Sequence, residues 1–357
     1  MREAEREASC RRRLGTGSGL LPFRGPGGYL CLGFVLLLAA FFSDPRMAGA
    51  QAMDPVGSDA EGAPFLLLPS GARAVGLGGA VTALASPEAA FWNPAGLAGL
   101  SRGRIMLTRG EHITGDALGV SLQYGWERRA VLGVTYQLLD EGTQDATDID
   151  GNVIGSFTSR NHLAVVSVAT TLGARLDLGA NLKYLRFELG CRGQCPDGRV
   201  RSTSYAVDLG ARGRPLSALP VDLGVSLLHL GPDFRNEDAQ QQAPLPARVR
   251  AGISWEPWSL MIEEERLAVL VLLDVEDRLR DPGDPAILLG AEFSAGTEDR
   301  VYVRGGYTLV RGTGLDGAAA GLGLRFDRFE LELARSLPRG AIASQQEPVH
   351  LTLALRF

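Results

Sequence analysis

From Val349 to Phe357 apolar and polar residues alternate without a break. Val349, Leu351, Leu353, Leu355 and Phe357 share one phase, and His350, Thr352, Ala354 and Arg356 the other. Successive side chains of a strand point to opposite faces, so this segment reads as a strand with one apolar and one hydrated face. The pattern recurs in Leu176, Leu178, Ala180, Leu182 and Tyr184 against Asp177, Gly179, Asn181 and Lys183. It recurs again in Tyr205, Val207, Leu209 and Ala211, and in Val249, Ala251, Ile253 and Trp255. Followed along the chain it predicts strands at 103–110, 115–125, 129–139, 159–170, 175–188, 201–212, 219–229, 246–255, 264–276, 286–294, 300–310, 317–326, 328–336 and 348–357. That is about fourteen, of lengths near the roughly 9 to 11 residues a tilted membrane strand requires.

The connections sort by parity. Those at 126–128, 171–174, 213–218, 295–299 and 327–328 are short, whereas 140–158, 189–200, 230–245 and 337–347 are long and polar. Short turns on one side and long loops on the other are the mark of a membrane barrel, with both termini periplasmic when the strand number is even. Tyr124, Trp126, Trp255, Trp258, Phe293, Phe326, Phe329 and Phe357 all fall at the strand ends this topology places toward the periplasm, where an interfacial aromatic girdle belongs. The fold class expected is therefore all-β, a transmembrane antiparallel barrel.

The first fifty residues read as a signal peptide. Arg11, Arg12 and Arg13 precede the apolar run Tyr29 to Phe42, and Ala48-Gly49-Ala50 ahead of Gln51 supplies small residues for cleavage between Ala50 and Gln51. The apolar run of 14 residues is short of the roughly 20 a spanning helix needs. Losing residues 1–50 removes seven basic and four acidic residues and takes the formal charge from −5 to about −8, a poor balance for binding nucleic acid. No later apolar run reaches the length of a membrane helix, and only helices and closed barrels satisfy their backbone groups in lipid.

The segment before the first strand does not alternate. Ser86-Pro87-Glu88 is a helix start, and Asn93-Pro94 stops that short helix before Pro94 to Leu100 begins another turn. Rich in Gly and Ala and too small to fold alone, 51–102 is expected to form an N-terminal extension and plug inside a barrel of 103–357. A two-residue turn at Asp327-Arg328 sets Phe326 opposite Phe329 and Arg325 opposite Glu330. With Arg304, Glu332, His350 and Arg356 at neighbouring inward positions, the lumen is expected to hold a mixed-charge ladder, either a polar conduit or a packing network.

Cys191 and Cys195 flank three residues in an expected outer loop, and in an oxidising compartment they are expected to form a local disulfide; two thiols are too few ligands for a metal. Asp148, Asp150, Gly151 and Asn152 resemble part of a calcium loop, but Ala146 and Phe157 occupy its first and last ligand positions, which leaves a polar turn. None of His112, His162, His229 and His350 lies in a nucleophile motif, so no catalytic residue, metal or cofactor is expected.

The stretch GARAVGLGGAVTALASPEAAFWNPAGLAGL (71–100) resembles the N-terminal signature of the PorV/PorQ outer-membrane proteins, and Asn93-Pro94-Ala95 is similar to the NPA plug motif of FadL-type transporters. The likeness continues through DGNVIGSF, LGANLKYL, YAVDLGARGRP, VDLGVSLLHLGP, LPARVRAGISW and the terminal HLTLALRF. It implies a FadL-like barrel of about fourteen strands with Asn93, Pro94 and Ala95 in the plug. It also implies one of two roles: passage of hydrophobic small molecules past the plug, or a non-catalytic partnership with type IX-like protein secretion. The partners it implies are outer-membrane lipid and lipopolysaccharide, the barrel insertion machinery that reads Phe357, and either hydrophobic ligands or secreted proteins.

Overall fold

The computed structural model describes residues 61–100, 102–112, 114–126, 130–193, 200–215, 219–236, 242–310, 316–338 and 348–357. The wall is built from β1 (Arg104–His112), β2 (Gly115–Trp126), β3 (Ala130–Thr147), β4 (Val153–Leu172), β5 (Leu176–Gly193), β6 (Val200–Gly213) and β7 (Val221–Leu230), then β10 (Arg248–Ile262), β11 (Glu265–Arg278), β12 (Ala286–Ala295), β13 (Arg300–Val310), β14 (Gly317–Phe326), β15 (Phe329–Pro338) and β16 (Val349–Arg356). Two short strands, β8 (Phe234–Asn236) and β9 (Gln242–Ala243), hang on β6. Every neighbouring pair is antiparallel, and β1 pairs with β16 while β5 pairs with β6, so the fourteen long strands close into a barrel with no free edge around the wall.

The alternation becomes two surfaces. On β2, Leu118, Val120 and Leu122 are exposed while Ala117 and Ser121 are buried; on β14, Leu322 and Leu324 are exposed while Gly321 and Gly323 are buried. An outward apolar band around a closed barrel is stable only where lipid covers it. Tyr124, Trp126, Trp255, Trp258, Phe293, Phe326, Phe329 and Phe357 all remain exposed, Phe293 least at 42% and Phe326 most at 68%, at the end where β1 begins and β16 finishes. Asp327 takes a left-handed φ of 48° in the two-residue turn, and the register puts Phe326 against Phe329 and Arg325 against Glu330.

One expectation changes. The long loop expected at 140–158 is mostly strand: β3 runs on to Thr147 and β4 starts at Val153, so a ladder of polar side chains stands beyond the apolar band. Polar residues hid this continuation because a strand surrounded by water on both faces carries no apolar phase. The N-terminus itself lies outside the described residues, which begin at Glu61. Gly62 donates its N–H to Pro244 O, and Glu61 pairs with Arg248 at the start of β10, the mouth where the long hairpins lie. The described N-terminal residues thus sit at the mouth opposite Phe357.

Candidate functional site

Residues 61–100 occupy the lumen. They comprise the helix α1 (Ala72–Gly76) and single 3-10 turns at Pro64–Leu67, Pro87–Phe91 and Pro94–Leu97. Ser86 Oγ accepts the Glu88 N–H at the second turn, and Asn93 Oδ1 accepts the Ala95 N–H, so Asn93 both ends one turn and caps the next. From the hairpin mouth the segment passes β3 and β4, rounds the wall from β16 through β14, β13, β12 and β10 to β7, β6 and β5, and leaves to β1 at the other mouth. Its path follows a belt of inward glycines. A Cβ on Gly179 would lie 2.3 Å from Ala95 N, on Gly210 2.0 Å from Asn93 Oδ1, on Gly224 2.2 Å from Thr82 O, and on Gly306 2.1 Å from Gly78 N. Gly290 and Gly321 face Leu77 and Gly76 in the same way. Glycine weakens a strand, and here it admits another backbone to the wall. This belt was readable in outline, since Leu-Gly follows an inward Asp in Asp177-Leu178-Gly179, Asp208-Leu209-Gly210 and Asp222-Leu223-Gly224.

Polar ties fix the segment where glycines let it approach. Asn93 donates from Nδ2 to Thr82 O at 2.7 Å and Ala211 O at 3.2 Å. Asp274 accepts from Thr82 N at 2.8 Å and pairs with Arg250, whose guanidinium also meets Glu276 and lies 4.8 Å from the Trp92 ring. Arg73 of α1 donates twice to Glu292 at 3.1 Å; Glu292 in turn holds Arg304 at 2.6 Å, and Arg304 reaches Glu332. The four groups are charge-neutral together, with Glu292 and Arg304 buried and Arg73 and Glu332 partly so, the arrangement in which ion pairs survive desolvation.

Glu88 caps α1 from outside its own turn. Its carboxylate accepts the N–H groups of Ala74 at 2.9 Å and Arg73 at 3.3 Å and the Thr352 hydroxyl at 3.1 Å, while Thr352 Oγ1 accepts from Ala72 N. Burial, reinforced by the Glu332 carboxylate, pushes its pKa up from 4.5 to about 7. The folded chain therefore keeps a proton that the unfolded chain releases, and the stabilisation is complete below pH 4.5 and lost as pH rises through about 7. Anchoring of the segment is expected to weaken by about 3 kcal/mol across that window. Protease protection of 61–100 measured against pH should show the slope, and Glu88→Gln should flatten it.

Two cavities flank the first turn of the segment. A pocket of about 390 Å³ lies at the hairpin mouth, lined by Pro64, Phe65, Leu68, Leu139, Phe187 and Phe234 together with the polar Asn161 and Glu141. Phe65 and Leu68 also line a smaller cavity of about 50 Å³ deeper in the lumen, with Trp92, Lys183, His229 and Arg250 on its other walls. Each cation there has an acid: Lys183 meets Asp208 at 2.7 Å, Arg248 meets Glu61 at 2.6 Å, and Arg250 meets Asp274 and Glu276. Arg248 in turn holds the Glu61 carboxyl below its ordinary range. His229, in a left-handed conformation with φ 60°, donates its N–H to Asp208, which Asn181 also holds.

No family model and no curated protein matches the chain. Among solved structures it is similar to the CymD monoaromatic hydrocarbon channel, with a TM-score of 0.56 at 14% identity over 81% of this chain and 97% of that one. It is similar to the Pseudomonas putida toluene transporter TodX, at 0.54 and 11% over 80% and 98%, and to a Pseudomonas aeruginosa FadL homologue, at 0.51 and 11% over 81% and 98%. The fold is that of the FadL-like barrels. The fold together with the outward apolar band makes this an outer-membrane β-barrel.

Within the barrel the residues singled out by sequence separate into groups. Asn93, Pro94 and Ala95 sit against Gly179 and Gly210 on β5 and β6. Arg304, Glu332 and His350 face the lumen in its middle, Arg304 and Glu332 in the network that holds Arg73 and His350 stacked edge-on to His112 at 5.2 Å. Glu330 lies near the terminal mouth with Arg104 at 3.1 Å and Arg356 at 3.7 Å; Arg325, opposite it, donates to Thr297 O instead. The charges expected as a single ladder are thus two clusters, because Arg104 on β1 and Glu292 on β12 supply partners that the local alternation did not reveal. Cys191 is disulfide-bonded; Cys195, expected as its partner, lies outside the described residues, as do Ala50 and Gln51. Asp148 closes a polar turn by accepting from Asp150 N and Asn152 N.

Proposed function

We propose that this barrel admits uncharged, apolar small molecules at its hairpin mouth and passes them inward across the outer membrane past an N-terminal segment that serves as a plug. The observation that carries this is the pair of cavities sharing Phe65 and Leu68 as their common wall: an apolar vestibule of about 390 Å³ abuts an inner cavity whose cations are all compensated. An apolar lining with few polar groups is the usual form of a ligand pocket, and a floor without spare charge offers an acid no partner. The three similar structures, named as a monoaromatic hydrocarbon channel, a toluene transporter and a FadL homologue, support the same substrate class. On this reading the hairpin mouth faces outward and the girdled mouth faces the periplasm. The PorV/PorQ likeness rests on the motif residues and adds no separate support for a secretion role.

Intact cells producing the protein are expected to accumulate the neutral probe N-phenyl-1-naphthylamine several-fold faster than cells without it, and to gain nothing for the anionic 1-anilinonaphthalene-8-sulfonate. Phe65→Asp, which puts an unpaired carboxylate between the cavities, should cut the gain about tenfold, a cost of roughly 1.4 kcal/mol. Equal rates for wild type and Phe65→Asp, with both barrels folded, would remove this path.

A further inference from the structure

The outer surface of β3 to β6 changes character row by row toward the hairpin mouth. In the paired register the outward residues run Val134, Val166, Leu182 and Val207, then Tyr136, Ala164, Tyr184 and Tyr205, then Leu138, His162, Arg186 and Thr203, then Asp140, Arg160, Glu188 and Arg201. Beyond them stand Thr143, Thr158 and Gly190, and then Asp145, Ser156 and Arg192. Apolar, aromatic, cationic and hydroxyl rows follow one another as hydrocarbon, interface and headgroup do along a membrane normal. The tyrosines are in place for an interface: Tyr184 and Tyr205 lie ring to ring at 5.4 Å, and the Tyr136 hydroxyl is 2.7 Å from His162 Nδ1.

Charge in the next rows is unbalanced toward cations. Glu188 serves two guanidiniums at once, Arg186 and Arg201, the latter at 3.3 Å. The Nε atoms of Arg186 and Arg201 are buried and have no hydrogen-bond partner; Arg192 shares its row with Asp145, two strands away, and forms no ion pair with it. Arg160 is engaged with Asp140 at 2.9 Å. Immediately beyond lies a polar pocket of about 380 Å³ lined by Thr143, Ser156, Thr158, Arg160 and Arg192.

We propose that this wall is a binding site for a phosphorylated glycolipid headgroup of the outer leaflet, its phosphate on Arg186 and Arg201 and its sugar hydroxyls toward Thr143, Ser156 and Thr158. Guanidinium forks match phosphate geometry, and unsatisfied N–H groups at a lipid-facing surface are met by an anion better than by acyl chains. The register places the two arginines one and two rows above the tyrosines, the depth at which a headgroup phosphate lies when its acyl chains cover Val166 and Leu182. Neither the vestibule nor the plug takes part, so the site is separate from the path for apolar molecules. It shares with that path only the orientation of the barrel.

The test is native mass spectrometry of the full mature barrel in detergent with bisphosphorylated lipid A, its fully dephosphorylated form, and inorganic phosphate as competitor. Lipid A is expected to remain bound, the dephosphorylated lipid to bind at least tenfold more weakly, and millimolar inorganic phosphate to displace little. R186Q/R201Q should weaken lipid A binding at least tenfold, and E188Q, which frees both guanidiniums, should tighten it several-fold. Equal binding of the two lipids by the unmutated barrel overturns the proposal without reference to any variant, as does displacement by inorganic phosphate, which would make this a site for a free anion. Labelling of Ile149→Cys on intact cells by an impermeant maleimide reports orientation on its own, so a headgroup failure is told apart from an inverted barrel.

Discussion

Gly306→Leu is expected to open the barrel. A side chain there must start 2.1 Å from Gly78 N and 2.3 Å from Leu77 C, and both are backbone atoms of a segment pinned on either side by Arg73 and Thr82. Nothing flexible can yield, so the segment leaves the wall. Single-channel conductance in planar bilayers should rise by about an order of magnitude, and the segment should become protease-sensitive while the wall keeps its resistance to heat in detergent. Gly305→Leu is the control one residue away: an added Cβ there meets nothing within 4 Å, and its side chain points outward into the apolar band. Comparable conductance for the two variants would show that the glycine belt does not set the plug's position.

The second large effect is expected from Glu292→Gln. Among the described residues Glu292 is the one acid that touches both Arg73 and Arg304, so its loss leaves a buried and a partly buried guanidinium to share Glu332. Removing one partner from a buried network costs about 3 to 5 kcal/mol, far more than the intact network contributes. The denaturant midpoint for release of the segment should fall accordingly. Adding Arg73→Met restores neutrality, because Arg304 and Glu332 then remain as a matched pair, and most of the loss should be recovered. A double variant no better than the single one would mean that Arg73 is not held by charge.

The wall was legible because lipid imposes a strict rule. Every outward residue of Leu118, Val120 and Leu122 or of Leu351, Leu353 and Leu355 must be apolar, so register and phase are written in short windows of sequence. The turn at Asp327 and the capping residues Ser86 and Asn93 were legible for the same reason, being decided by neighbours one to three residues away. What was not legible depends on distant pairs. Glu292 shows nothing in its own strand that marks it as the anchor of Arg73, which is 219 residues away. Gly224 and Gly252 look like weak points in their strands until Thr82 is placed between them. The extension of β3 and β4 past Asp140 was hidden because water on both faces erases the alternation.

The path of residues 61–100 also bears on assembly. The segment begins at one mouth and joins β1 at the other, touching most of the wall between. A cylinder closed first would have to draw the leading end of the chain through a bore already narrowed by Arg304, Arg250 and Lys183. Wrapping the strands around a segment already lying in place avoids that passage. On that order of events the segment shapes the wall that encloses it, and pairing of β1 with β16 is expected to come last.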